Sequence, residues 1–102
     1  MYPPTKLVRV VNGIRYDVEK ATLIAHNAYW DGQSHERYGR NTFLYRTPKG
    51  RYFTVTLTTW QGEHDTLEPV SLKEAIALYE RSLTEHVVDY AEAFPGVPVE
   101  DA

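Results

Sequence analysis

The chain has 102 residues, 42% of them hydrophobic and 13% aromatic, with a formal net charge of −3; that length suits one domain with a single shared core and leaves little room for a separate catalytic lobe. The absence of cysteine excludes disulfides, thiolate metal ligands and a cysteine nucleophile. No apolar run approaches the roughly 20 residues of a membrane helix, and Met1-Tyr-Pro-Pro-Thr-Lys6 lacks the apolar core of a signal peptide, so the expectation is a soluble cytoplasmic protein with no membrane contact.

The first element in chain order is a hairpin. Leu7-Val-Arg-Val-Val11 and Ile14-Arg-Tyr16 flank Asn12-Gly13, a pair suited to a type I′ turn because both central positions need positive φ. Asp17 then has the side chain to cap a helix. Val18, Ala21, Ile24 or Ala25, and Ala28 recur at helical spacing, which predicts a helix over about Val18 to Tyr29. Residues Trp30 to Asn41 contain Asp31-Gly32, Ser34 and Gly39 with no apolar period and read as a long loop.

Phe43-Leu-Tyr-Arg46 and Arg51 to Thr59 are rich in β-branched and aromatic residues and enclose Thr47-Pro-Lys-Gly50, a turn sequence. In the second strand Phe53, Val55 and Leu57 share one face, expected to pack against helices. Tyr52, Thr54, Thr56 and Thr58 share the other, expected to face water. Leu67-Glu-Pro-Val70 reads as a short edge strand, where Pro69 is tolerated. Ser71-Leu-Lys-Glu74 is a capping box opening a helix at Leu72, with Leu72, Ala75, Ile76, Tyr79 and Leu83 as its apolar stripe. Val87, Tyr90, Ala91 and Phe94 extend that stripe, in one long element or in a second helix capped by Ser82 or Thr84, ending before Pro95-Gly96.

The expected fold is α+β, a small antiparallel sheet with one face covered by helices. Phe53, Val55, Leu57, Leu72, Ile76 and Tyr79 form its expected core, in a single domain over residues 1–96 with a loosely ordered tail at 97–102.

The net charge conceals an asymmetry. Residues 1–60 hold nine Lys/Arg against four Asp/Glu, whereas residues 61–102 hold two against ten. Arg37, Arg40, Arg46, Lys49 and Arg51 would form a basic region if the loop folds near the hairpin turn. With Tyr52 as an exposed aromatic, that region is the candidate contact for an acidic partner or a nucleic acid.

Motifs for chemistry are absent. His26, His35, His64 and His86 show no metal-ligand spacing, Glu63-His64-Asp65 cannot converge from a regular element, and no phosphate-binding or dinucleotide-binding glycine motif occurs. No catalytic residue, cofactor or metal follows, and the carboxylates read as helix surface. The expectation is therefore a non-catalytic interaction or regulatory module with a protein partner or a second copy of itself; the alternative is a nucleic-acid-binding protein using the basic hairpin and loop, and a third class is an enzyme whose pocket joins groups distant in sequence, such as His64 with carboxylates of another element.

Ile14-Arg-Tyr-Asp17, Thr22-Leu-Ile24, the stretch from Thr42 to Phe53, Glu68-Pro-Val-Ser-Leu-Lys-Glu-Ala75 and Tyr90-Ala-Glu-Ala-Phe94 together resemble a family of small uncharacterised bacterial proteins often associated with mobile elements. The resemblance implies a small α+β protein and a mobile-element context. Inhibition of a nucleic-acid enzyme, with the acidic C-terminal surface in its basic groove, is a form of the interaction reading that the charge permits. It transfers no catalytic residues.

Overall fold

In the computed structural model, which describes residues 4, 6–27, 40–58, 62 and 64–102 and of Arg40 only the backbone, Asn12 and Gly13 both take positive φ, 53° and 77°. Their turn joins β1 (Val8–Val11) to β2 (Ile14–Asp17) in the register Val8↔Asp17 to Val11↔Ile14. The backbone twist of such a turn matches that of the strands it joins. The two-residue loop fixes which side chains face inward, and Tyr16 is buried while its neighbour Arg15 is exposed.

Asp17 does cap a helical turn, accepting a hydrogen bond from the Glu19 amide at 3.0 Å. The turn is a single 3₁₀ segment, Val18–Lys20. The expected helix over Val18 to Tyr29 is corrected: Thr22–His26 is a strand, β3, and Ala28 and Tyr29 lie outside the described residues. The reason is a β-bulge between Leu23 and Ala25. It lets the consecutive residues Ile24 and Ala25 bury in the same cluster, so two adjacent apolar residues imitate the face of a helix.

β4 (Arg40–Arg46) and β5 (Tyr52–Thr58) pair from Arg40↔Thr58 to Arg46↔Tyr52. Their connection is the expected tight turn. The Gly50 amide donates to the Thr47 carbonyl at 2.9 Å, Gly50 has φ 82°, and the Thr47 hydroxyl oxygen accepts from the Arg51 amide at 3.0 Å. β6 (Thr66–Val70) then pairs antiparallel with β5, placing Pro69 opposite Phe53.

The capping box forms in both directions, Glu74 amide to Ser71 Oγ and Ser71 amide to the Glu74 carboxylate, each at 3.1 Å. It starts α1 (Leu72–Ala77), which widens into a π-helical turn over Leu78–Ser82. The Leu83 amide closes that turn on the Leu78 carbonyl at 2.8 Å. The helical run does not continue as the apolar stripe suggests. A two-residue strand, β7 (Glu85–His86), intervenes before α2 (Tyr90–Ala93), whose cap is Asp89 rather than Ser82 or Thr84. The second helix ends before Pro95-Gly96, as expected.

The strands make a five-stranded antiparallel sheet in the order β6-β5-β4-β3-β7, beside the two-stranded β1-β2 ribbon. The fold is thus a small α+β domain with helices against an antiparallel sheet. Two clusters fill the two sides. Ile24, Ala25, Leu44, Tyr52, Ala75, Tyr79, Leu83, Ala93 and Phe94 lie under the helices. Tyr16, Val18, Phe43, Tyr45, Phe53, Val55 and Leu67 lie between the sheet and the ribbon. There Tyr45 stacks on Phe53 with ring centroids 5.1 Å apart, and Tyr16 meets Phe53 edge-on at 5.6 Å.

Phe53 and Val55 are fully buried, as expected, but beneath the ribbon and not the helices. The helices instead cover the face that carries Tyr52. Ile76 and Leu57 are only partly buried, and Leu72 is 46% exposed at the start of α1, so Leu72 is removed from the expected core.

Candidate functional site

The two tight turns face a shared concavity. A cleft of about 420 Å³ opens between them, bounded on the ribbon side by Gly13, Ile14, Arg15, Asp17 and Lys20. Thr47, Pro48, Lys49 and Arg51 close its other side. Arg15, Lys20, Lys49 and Arg51 are exposed, and none of them forms an ion pair with another described residue; the ion pair among the described residues, Arg9 with Glu68 at 2.9 Å, involves no residue that lines the cleft. Among the described residues Asp17 is the one carboxylate lining the cleft, and its oxygen already accepts from the Glu19 amide. Four cations therefore face a volume that offers them a single, partly committed counter-charge.

Local sequence dictates each wall. Alternation along β2 turns Tyr16 inward and leaves Arg15 outside. The 3₁₀ turn brings Lys20 round after Asp17. On the other wall, Thr47 holds the Arg51 amide by its hydroxyl oxygen, which leaves the hydroxyl hydrogen able to donate to an anion.

The structure divides the residues singled out from sequence. Lys49 and Arg51 line the cleft. Arg46 does not join them: it pairs with Tyr52 across β4 and β5 and lines a separate hollow of about 330 Å³ with Ile24, Val88, Glu92 and Pro95. Its Nε is buried without a hydrogen-bond partner. Arg37 and the side chain of Arg40 lie outside the described residues.

Tyr52 is corrected from an exposed contact to a core residue, 6% exposed. Its hydroxyl donates to the Ala93 carbonyl at 2.6 Å, and its ring lies 5.4 Å from that of Phe94. Burial raises the Tyr52 hydroxyl pKa, opposed by the charge and hydrogen bond of Arg46. A base cannot stack on a ring so enclosed.

Sequence reasoning missed Arg15 and Lys20, because their approach to the second turn depends on how the ribbon docks on the sheet. A hint was available in the strict alternation about Asn12-Gly13, which forces Arg15 to the side opposite Tyr16.

Two histidines, His86 and His26, are engaged in packing; His64 is exposed, and His35 lies outside the described residues. His86 stacks on Tyr79 with centroids 3.7 Å apart, and its Nε2 lies 2.7 Å from the Tyr79 carbonyl oxygen. His26 packs on Phe43 at 5.6 Å, and burial lowers its pKa against the raising effect of Glu85. Among the described residues no group of three His, Asp or Glu side chains is arranged to hold a metal ion, and no helix is long and apolar enough to cross a membrane.

Comparison with known proteins finds no matching family model, curated protein or solved structure. The reading of the site rests on its own geometry.

Proposed function

We propose that this protein is a small, non-catalytic binding module of the cytoplasm that engages a negatively charged macromolecular partner through the cleft between its two hairpin turns. The observation that carries this reading is the convergence of Arg15 from β2, Lys20 from the 3₁₀ turn, and Lys49 and Arg51 from the β4–β5 connection on a cleft with one carboxylate among the described residues. A concave wall of one charge sign concentrates field and speeds encounter with an opposite surface. Regulation would follow from occupancy: a partner held here has its own charged surface covered.

The acidic half of the chain is the weaker candidate for an interface, including the groove of a nucleic-acid enzyme. Several of its carboxylates already serve the fold. Glu74 and Asp89 cap helices, Glu68 pairs with Arg9, Asp65 accepts from the Thr58 amide and Glu80 accepts from the Tyr90 hydroxyl.

The test is affinity capture from source-cell lysate, with and without nuclease, comparing the wild type with a Lys49→Glu/Arg51→Glu variant and with Lys73→Glu/Arg81→Glu as a control for net charge. Loss of the captured partner in the first variant alone supports the cleft. Equal capture by all three proteins would place the interface elsewhere and sink this reading.

A further inference from the structure

We infer that the cleft is built for the phosphodiester backbone of a nucleic-acid duplex, read by charge and shape without base contacts. This rests on the reading of the cleft as the binding face and names its partner.

Three observations select that ligand. Arg15, Lys20, Lys49 and Arg51 converge with no ionic partner among the described residues. Guanidinium forks and ammonium groups together suit a row of phosphates, with the Thr47 hydroxyl as an additional donor. Secondly, among the described residues no aromatic side chain lines the cleft, and the described rings Tyr16, Tyr45, Tyr52 and Phe53 are all buried. Single strands are held largely by stacking on exposed aromatics, which the described walls of the cleft do not supply. Thirdly, Gly13, Pro48 and all four cations are exposed, which leaves the cleft open along its rim. Sites for small phosphorylated molecules enclose most of the ligand; this half-open cleft does not.

An acidic protein surface would meet the same charges. It would have to order several flexible carboxylate side chains, each at an entropic cost, whereas a duplex presents closely spaced charges already fixed along its axis.

The experiment is fluorescence anisotropy with labelled duplexes of unrelated sequence, a labelled single strand and labelled poly-glutamate, together with unlabelled tripolyphosphate as competitor, over a series of salt concentrations. Duplexes of different sequence should bind alike. Four phosphate contacts give a slope of log affinity against log salt of about −3.6. Lys49→Ala and Arg51→Ala should each make that slope shallower by about 0.9, whereas Arg81→Ala should leave it unchanged. These residues are exposed, so circular dichroism should be the same for every variant.

Preference for the single strand, for poly-glutamate, or for tripolyphosphate at equal charge concentration would each overturn the inference while leaving an anion-binding cleft in place. Failure of the duplexes, the single strand and poly-glutamate alike to bind would remove both the inference and the reading beneath it.

Discussion

The Tyr52 hydroxyl donates to the Ala93 carbonyl at 2.6 Å across 41 residues of sequence, both groups buried. This bond fastens the start of β5 to the last helix. Tyr52→Phe keeps the ring packing but leaves the Ala93 carbonyl without its donor, a loss of about 1–3 kcal/mol. Denaturant titration should show that loss, and duplex affinity should not change. Unaltered stability with weakened binding would return Tyr52 to the role of a contact residue.

Arg9 joins the ribbon to the sheet edge. Its guanidinium donates to the Leu67 carbonyl at 2.6 Å and to the Glu68 carboxylate at 2.9 Å. The Leu67 carbonyl is thereby occupied on the open side of β6, and Pro69, two residues on, has no amide hydrogen to offer a further strand. The ion pair itself is exposed and contributes little. Arg9→Ala should therefore cost about 1 kcal/mol through the carbonyl bond and lost docking, whereas Glu68→Ala should cost less than about 0.5 kcal/mol. Equal effects in paired unfolding curves would mean that the ion pair, and not the carbonyl bond, holds the ribbon.

Ser71 is a purely local determinant and offers a clean comparison. Ser71→Ala removes the acceptor for the Glu74 amide and should destabilise the fold by about 1 kcal/mol, while Ser71→Asp should restore most of that. Thermal or denaturant unfolding of the two variants checks it. A fully destabilised Ser71→Asp would show that the hydroxyl serves more than the cap.

These local features are the ones that could be read from sequence. Asn12-Gly13, Thr47-Pro-Lys-Gly50 and Ser71-x-x-Glu74 satisfy their hydrogen bonds within a few residues, so short-range chemistry suffices. Thr22–His26 misleads because its bulge is imposed by the pairing partner β4, which begins only at Arg40. Tyr52 misleads for a related reason. Its threonine neighbours suggest a wet face, but α2 packs over one end of that face and buries the ring. The site was half visible: Lys49 and Arg51 belong to one turn, whereas Arg15 and Lys20 reach the cleft only through docking of the ribbon. Arg46 was drawn to the opposite face by the alternation of β4.

Tyr45 gives a test of the ribbon-side core that needs no binding partner. Burial pushes its hydroxyl from the ordinary 10.0 up to about 12, because the phenolate would lie in the packed layer against Phe53. The unfolded chain releases this proton near 10, the folded chain only near 12. Between those values the unfolded state binds fewer protons, so stability falls as pH rises through that window and is unaffected by this group below it. Tyr52, Tyr79 and Tyr90 are also raised, so the informative quantity is the difference between the wild type and Tyr45→Phe. Denaturant unfolding at successive alkaline pH values should show that difference constant below about 10 and growing in favour of Tyr45→Phe above it. A difference that stays flat throughout would mean that the Tyr45 hydroxyl meets solvent and that the ribbon does not close over the sheet.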